Sequence, residues 1–348
     1  MKKVLAVLLA AGMVLASAAC GSESGGGAAP ASTAPSSVSG GETEGGKEEV
    51  SMGKAAFICK GYSDPMCLLV MNKFKAYWEE NYKDLYTVDY FDGETDADKI
   101  NQLIETCTAN QYDVIIMQQQ DSDAPVAAVK AAVEAGVKVV VTVGSINDDG
   151  ESVYIDSDPK QQGAMIAQYA VDQGKLGEGT KVAILQGPAG QFHSNGRIEA
   201  YLEIIEQCKA NLVAQEICDW QQDAAQTCVE NWLVAYPDLQ VILSCSDSMS
   251  LGAIEAMKLA GRDDILIFSV DATEEGCLAL KDGTLLATIS QDVIGYAHGA
   301  ADFTAGLIKG ENVESKILES VLVTRDNADE ILMDVHGYTQ EQIDQLNK

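Results

Sequence analysis

His193 stands directly before Ser194, a base beside a hydroxyl, which is the kind of pair that acyl transfer uses. Adjacency in sequence does not bring the two side chains within hydrogen-bond reach, so this is a neighbouring pair and not a triad. The other two histidines, His298 and His336, add no H-E-x-x-H or other metal-ligand spacing. The chain has no G-x-S-x-G nucleophile elbow and no Walker A loop. Gly187-Pro-Ala-Gly190 follows a strand-like run but lacks the G-x-G-x-x-G pattern that cradles a dinucleotide. No C-x-x-C occurs, so neither a zinc ribbon nor a thioredoxin-type centre is indicated. The expectation is a protein that is not an enzyme and holds no metal and no cofactor.

One cysteine does stand in a setting that implies chemistry. Before Cys20 come Lys2 and Lys3, an apolar run from Val4 to Leu15, and the small residues Ala16 to Ala19. That is the charged, apolar, small order of a secretory signal peptide, with an apolar run too short for a confident membrane span. After Cys20, residues 21–51 are built almost wholly from Gly, Ser, Ala, Pro, Thr and Glu. A cysteine between such a leader and a polar tether resembles the bacterial lipoprotein signal, in which it becomes the lipid-bearing N-terminus. Ser17 sits where that signal usually carries Leu. The alternative is plain secretion after the Ala16-Ser17-Ala18 triplet. Both readings put the protein outside the cytoplasm.

Composition narrows the partners. With 53 acidic and 23 basic side chains the net charge is −30, and such a surface repels phosphate backbones and anionic lipid headgroups. Nucleic acid is thereby excluded as a partner. Of nine cysteines, eight remain after Cys20. An even number in an exported chain invites a disulfide framework. Several of them, however, sit in apolar runs where Cys behaves as a small hydrophobe. Most are expected to be free thiols, with a single local bridge such as Cys218 to Cys228 left open.

The elements that position these residues alternate. Short β-rich runs, among them Ala55–Cys59, Val114–Met117, Val139–Val143, Val182–Leu185, Val241–Ser244 and Leu266–Val270, are separated by amphipathic stretches of ten or more residues. This alternation reads as βαβ units around parallel sheets. The pattern also echoes itself. Val114-Ile-Ile, Asp121-Ser122, a helix ending at Gly136 and the strand Val139–Val143 match Val241-Ile-Leu, Asp247-Ser248, a helix ending at Gly261 and the strand Leu266–Val270. In both units the Asp stands where a helix N-cap belongs and the Gly where a C-cap belongs. The expected fold is α/β, with two similar doubly wound parallel-sheet lobes and one cleft between them, because ligands bind beyond the carboxyl ends of such strands. Lys316–Thr324 reads as a further β run, Asp329–Met333 as a short helix, and the tail from Thr339 as a surface helix or disordered.

From about Lys54 to about Thr324 the chain resembles the ribose-binding-protein-like (type 1 periplasmic) sugar-binding components of ABC importers. The resemblance rests on Leu185-Gln-Gly-Pro-Ala-Gly190 followed by Arg197, on Ser246-Asp-Ser-Met-Ser-Leu-Gly252, on Val270-Asp271-Ala-Thr, and on Ala287-Thr-Ile-Ser-Gln291, in that order. It implies a three-crossing hinge near Ser157, Gln291 and Leu318. Together with the leader and tether at 1–19 and 20–51, the expected organisation is one lobe at 52–158 and 292–318, the other at 159–291 and 319–334, and a tail at 335–348.

The ligand positions it implies are Lys60, Asp64, Met66 and Cys67 in the first loop, then Gln118, Ser145, Arg197, Trp220, Ser246, Asp271 and Gln291. Arg197 would fork onto sugar hydroxyls, Trp220 would stack on the apolar face of the ring, and Asp271 would accept hydroxyl hydrogen bonds. Without the resemblance, Arg197 reads equally well as a solvated cation; the alternative for Asp271 is a helix cap, and for Lys60 and Asp64 turn charges. Cys67 and Cys245 read as packing residues. The chain departs from ribose binders, in which an Asp-Arg pair stands where Gly144 and Ser145 are found here. Two aromatics of the first loop are likewise replaced by Met66 and Cys67. The expected ligand is therefore not ribose. It is a larger sugar, or one whose amino or acid group pairs with Asp64 or Lys60.

As an importer receptor the protein is expected to be a monomer that hands its ligand to an ABC permease. It would be held at the membrane by a lipid on Cys20 and a tether with a reach of roughly 30 Å. The same closed form presented to a chemoreceptor or sensor kinase is the alternative, as is a nucleoside or signalling ligand in place of a sugar.

Overall fold

The computed structural model describes residues 52–348, and the expected leader, Cys20 and tether lie outside them. The first half runs β1 (Gly53–Cys59), α1 (Pro65–Asn81), β2 (Tyr86–Asp92), α2 (Ala97–Ala109), β3 (Val114–Met117), α3 (Val126–Glu134), β4 (Lys138–Thr142) and β5 (Val153–Ser157). The second continues α4 (Pro159–Asp172), β6 (Lys181–Gln186), α5 (Phe192–Cys208), β7 (Asn211–Ile217), α6 (Gln222–Ala235), β8 (Val241–Ser244), α7 (Asp247–Ala260), β9 (Leu266–Phe268), α8 (Glu274–Asp282) and β10 (Thr288–Gln291). The remainder is α9 (Val293–Ile308), β11 (Lys316–Leu318), β12 (Ser320–Val323), α10 (Ala328–Asp334) and α11 (Gln340–Leu346).

The two sheets repeat one order. The first is β11-β5-β4-β3-β1-β2, with every pair parallel. The second is β7-β6-β8-β9, extended by parallel bridges Phe268↔Ala287 and Asp271↔Ser290 to the β10 segment, whose other neighbour is β12. Strand for strand, β1 and β6 occupy the same place, as do β3 and β8 or β5 and β10. The one difference is at the edge, where β11 is parallel to β5 but β12 is antiparallel to β10. The single run expected at Lys316–Thr324 is thus two strands in two sheets, with Glu319 between them.

Alternation along the strands fills both faces of the first sheet. Ala55, Phe57 and Cys59 of β1 join the core under α1 and α9, while Ala56 and Ile58 join the core against α2 and α3. The second sheet has one large core that includes Leu185, Leu243, Phe268 and Ile289, and Ile343 of the C-terminal tail packs into it. The chain passes from sheet to sheet at Ser157–Pro159, at Gln291–Val293 and at Leu318–Ser320. After these passages α4 packs on α5 and α9 packs on α1, so each passage exchanges lobes.

Two expected caps are corrected. Asp121 does not cap α3: its carboxylate accepts from the N–H groups of Asp123 and Ala124, and Pro125 delays the helix to Val126. In the second unit Ser246 is the N-cap of α7, accepting from the Met249 N–H, and Asp247 is the first residue inside the helix. Gly261 does cap the C-terminus at φ 65°, a conformation glycine reaches without a Cβ penalty. Two elements lacked a sequence signal. Strand β5 ends in Asp156 and Ser157, both fully buried, and α8 is a short helix held at its start by Thr273.

Candidate functional site

A cavity of about 600 Å³ opens between the lobes at the carboxyl ends of both sheets. Nine of the eleven expected residues line it: Lys60, Asp64, Met66, Cys67, Arg197, Trp220, Ser246, Asp271 and Gln291.

The first lobe brings an ion pair. Lys60 follows β1, and Asp64 is the N-cap of α1, accepting from the Cys67 N–H at 3.0 Å. The Lys60 ammonium lies on the Asp64 carboxylate, and both side chains are largely buried. Burial disfavours both charges, but each holds the other ionised, so the Lys60 ammonium titrates above its usual range and the Asp64 carboxyl below its own. The two charges expected to be ligand partners thus already satisfy each other. Met66 and Cys67 sit in the first turn of α1, and burial pushes the Cys67 thiol well up.

The second lobe contributes the rest. Arg197 on α5 is only 2% exposed. Its Nε and Nη2 donate to Gln162 Oε1 at 3.0 and 2.8 Å, and Nη1 donates to the Cys245 carbonyl at 2.6 Å. Asp271 Oδ1 lies 3.5 Å from Nη1 and accepts from Gln291 Nε2. Asp271 has φ 129° and Ala272 φ 53°, a strained pair of the sort found where a site over-determines the backbone. Burial pushes the Asp271 carboxyl up to about 7, against the pull of Arg197 and with a further push from Asp247 and Asp64. Asp247 itself is buried and braces this corner, accepting from the Thr273 N–H at 2.9 Å and from Thr288 Oγ1 at 2.8 Å.

Trp220 follows β7 in a turn where Asp219 and Trp220 have φ 51° and 63°. Its indole lies over Gly187: a Cβ there would stand 2.3 Å from the ring, so only glycine leaves room. The Arg197 guanidinium carbon is 5.9 Å from the ring centroid. The indole N–H is buried and has no partner among the described residues.

Gln118 and Ser145 do not reach the cavity. Gln118 is fully buried; its Oε1 accepts from the Lys60 N–H at 3.2 Å and its Nε2 donates to the Cys67 carbonyl at 3.0 Å. It pins the first loop from behind. Ser145 is half-buried in the loop after β4, where its carbonyl faces Gln119 Nε2 at 3.5 Å.

Contacts between residues far apart in sequence complete the site. His193 lines the cavity and its Nε2 lies 2.8 Å from Asp156 Oδ2, while the Ser194 hydroxyl has no partner among the described residues. The adjacent pair is therefore not a base and its nucleophile. Ser157 and Gln291, at two of the lobe passages, are joined through Tyr296 of α9: its oxygen accepts from the Ser157 N–H at 3.1 Å, and its hydroxyl donates to Gln291 Oε1 at 3.3 Å. Among the described residues no group of three or more His, Cys, Asp or Glu is arranged to hold a metal ion, and no helix is long and apolar enough to cross a membrane.

Comparison with known proteins identifies the family and the fold. Residues 55–312 match the periplasmic binding protein domain family. The ribose import binding protein of Escherichia coli strain K12 is 32% identical over 234 residues, covering 66% of this chain and 77% of that protein. A xylitol-binding protein of Mycolicibacterium smegmatis is 25% identical over 304 residues, 84% of this chain and 80% of its own length. Among solved structures, an ABC transporter solute-binding protein from Bacillus halodurans with bound myo-inositol superposes with a TM-score of 0.76. At 23% identity, covering 82% of this chain and 98% of that one, it shares the fold.

Proposed function

The chain belongs to the periplasmic binding protein domain family, and from that premise we propose that it captures a neutral, hydroxyl-rich small molecule, a sugar or polyol, and delivers it to an ABC importer. One observation carries this reading: a single cavity is walled by Lys60 and Asp64 of one lobe and by Arg197, Trp220 and Asp271 of the other. A ligand that touches both walls favours the closed arrangement, and only such differential contact shifts a two-state population. The chain crossings at Ser157, Gln291 and Leu318 act as the hinge between a lobe at 52–158 and 292–318 and a lobe at 159–291 and 319–334.

The roles follow from the chemistry of each group. Arg197 retains guanidinium N–H groups beyond those engaged by Gln162 and Cys245. Those groups donate to ligand hydroxyls, and Asp271 accepts from them. Trp220 covers the apolar face of the ring. Neutrality follows from the Lys60–Asp64 pair: a charged ligand would have to take one ion from the other, and breaking a buried pair costs about 3–5 kcal/mol. Ribose and xylitol, named for two relatives, are both neutral. The protein acts outside the cytoplasm as a monomer, tethered by a lipid on Cys20, and catalyses no reaction.

The test is thermal unfolding of the full chain against neutral sugars, polyols, amino sugars and sugar acids. A ligand that binds only the folded state at a hundredfold excess over Kd stabilises it by about 2.7 kcal/mol. A melting-temperature rise confined to neutral sugars or polyols supports the proposal. A rise confined to sugar acids or amino sugars overturns the neutrality argument, and no rise at all overturns the sugar reading.

A further inference from the structure

Beneath the Trp220 wall two thiols meet. Cys218 Sγ and Cys228 Sγ are 3.3 Å apart, and among the described residues this is the one sulfur–sulfur contact within hydrogen-bond range. Cys218 follows β7 and is 1% exposed, with its N–H bonded to the Gln186 carbonyl at 2.8 Å. Cys228 lies on α6 and is half-buried. The segment between them carries five residues of the cavity wall, Asp219 to Asp223, including the two in left-handed conformation.

We propose that Cys218 and Cys228 form a reversible disulfide that clamps the Asp219–Trp220 turn and so sets the rigidity of the aromatic wall of the cavity. The sulfurs need to approach by only about 1 Å to reach bonding distance, which a half-buried side chain on a helix face can supply. The oxidant is a small-molecule disulfide. Cys228, the less buried of the two residues, loses its proton and attacks one sulfur of the reagent, releasing one thiol and leaving a mixed disulfide. Cys218 then gives up its proton and displaces the second reagent thiol. One reagent S–S bond and two protein S–H bonds become one protein S–S bond and two reagent S–H bonds. Burial pushes the Cys218 thiol up, which suits it to the second, intramolecular step rather than to the first attack. The bridge closes a short loop that contains the Asp219–Trp220 turn, so its effect falls on Trp220 and its neighbours.

The experiment treats the full chain with oxidised glutathione, maps cysteine peptides by mass spectrometry, and repeats the treatment on Cys228→Ser. The expected result is a loss of two hydrogens mapped to a Cys218–Cys228 peptide pair, absent in the variant. Melting temperature should rise by several degrees and amide exchange across 219–223 should slow, in the wild-type chain only. Both thiols remaining free, glutathione persisting on Cys228, or oxidation mapping to another pair would each overturn the proposal. A bridge that forms without slowing exchange at 219–223 would overturn its role in the wall. None of these readouts depends on the sugar reading.

Discussion

Arg197 and Asp271 meet across the second lobe with Nη1 and Oδ1 3.5 Å apart, each held by a different set of partners. Gln162 and the Cys245 carbonyl fix the guanidinium, while Gln291 and a strained backbone fix the carboxylate. The pair is pre-oriented before any ligand arrives, which lowers the ordering cost of binding. At 3.5 Å it is looser than a charge-assisted hydrogen bond, so a ligand hydroxyl on the cavity side can bridge donor and acceptor.

The position of Asp271 makes stability depend on pH. Its folded value, about 7, is raised above that of an unfolded carboxyl, so the folded chain binds the proton more tightly. The contribution is fully present below about pH 4 and is lost as pH rises through about 7. Urea midpoints of the wild-type chain should therefore fall relative to Asp271→Asn across that window. Parallel pH profiles for the two chains would contradict this assignment.

The Lys60–Asp64 pair should be costly to halve and cheap to replace. Lys60→Met leaves a buried carboxylate alone and should destabilise by about 3–5 kcal/mol in denaturant titration. The double change Lys60→Met with Asp64→Leu should recover much of that loss, because an apolar pair of similar volume needs no counter-charge. A double variant no more stable than the single one would show that Asp64 matters as the cap of α1 rather than as a partner of Lys60.

Gly187 should control the cavity from outside the ligand contacts. A methyl group there meets the Trp220 ring at 2.3 Å, so Gly187→Ala should displace the indole. Affinity for whichever sugar raises the melting temperature should drop about tenfold, in line with the worth of an aromatic contact. Pairing Gly187→Ala with Trp220→Ala should add nothing further, which calorimetry of the four chains would show.

What sequence revealed and what it hid divides along physical lines. Arg197, Trp220, Asp271 and Gln291 each stand at a strand end or on the helix that follows, so local pattern and family motifs place them. Gln118 was legible as a strand-end residue, but whether its amide faces the cavity or the back of the Lys60 loop depends on packing across 58 residues of chain. The His193–Asp156 contact spans 37 residues and the Tyr296–Ser157 contact 139, and no local pattern encodes either. Strand β5 was missed because buried Asp156 and Ser157 give it a polar end, and those same groups are its links to His193 and Tyr296. The echo of Asp121 and Asp247 pointed to a real duplication, seen in the matched strand orders, although neither Asp is the cap it resembled.

Tyr296 ties two of the three lobe crossings together and does not itself line the cavity, which it meets only through Gln291. Tyr296→Phe should therefore alter closure while leaving Arg197, Trp220 and Asp271 in place. Association and dissociation rates of the bound sugar should both change, with the fold intact by circular dichroism. Unchanged rates would mean that the link is structural filling.

The central claim is that a neutral hydroxyl-rich ligand is held by the Arg197–Asp271 pair, and isothermal titration calorimetry addresses it most directly. Titrating neutral sugars and polyols into the full chain, Arg197→Ala and Asp271→Asn should give one-to-one binding for the native protein and a loss of about a hundredfold or more in each variant that remains folded. Native binding that survives both substitutions, or no binding of any neutral sugar or polyol, would contradict the account.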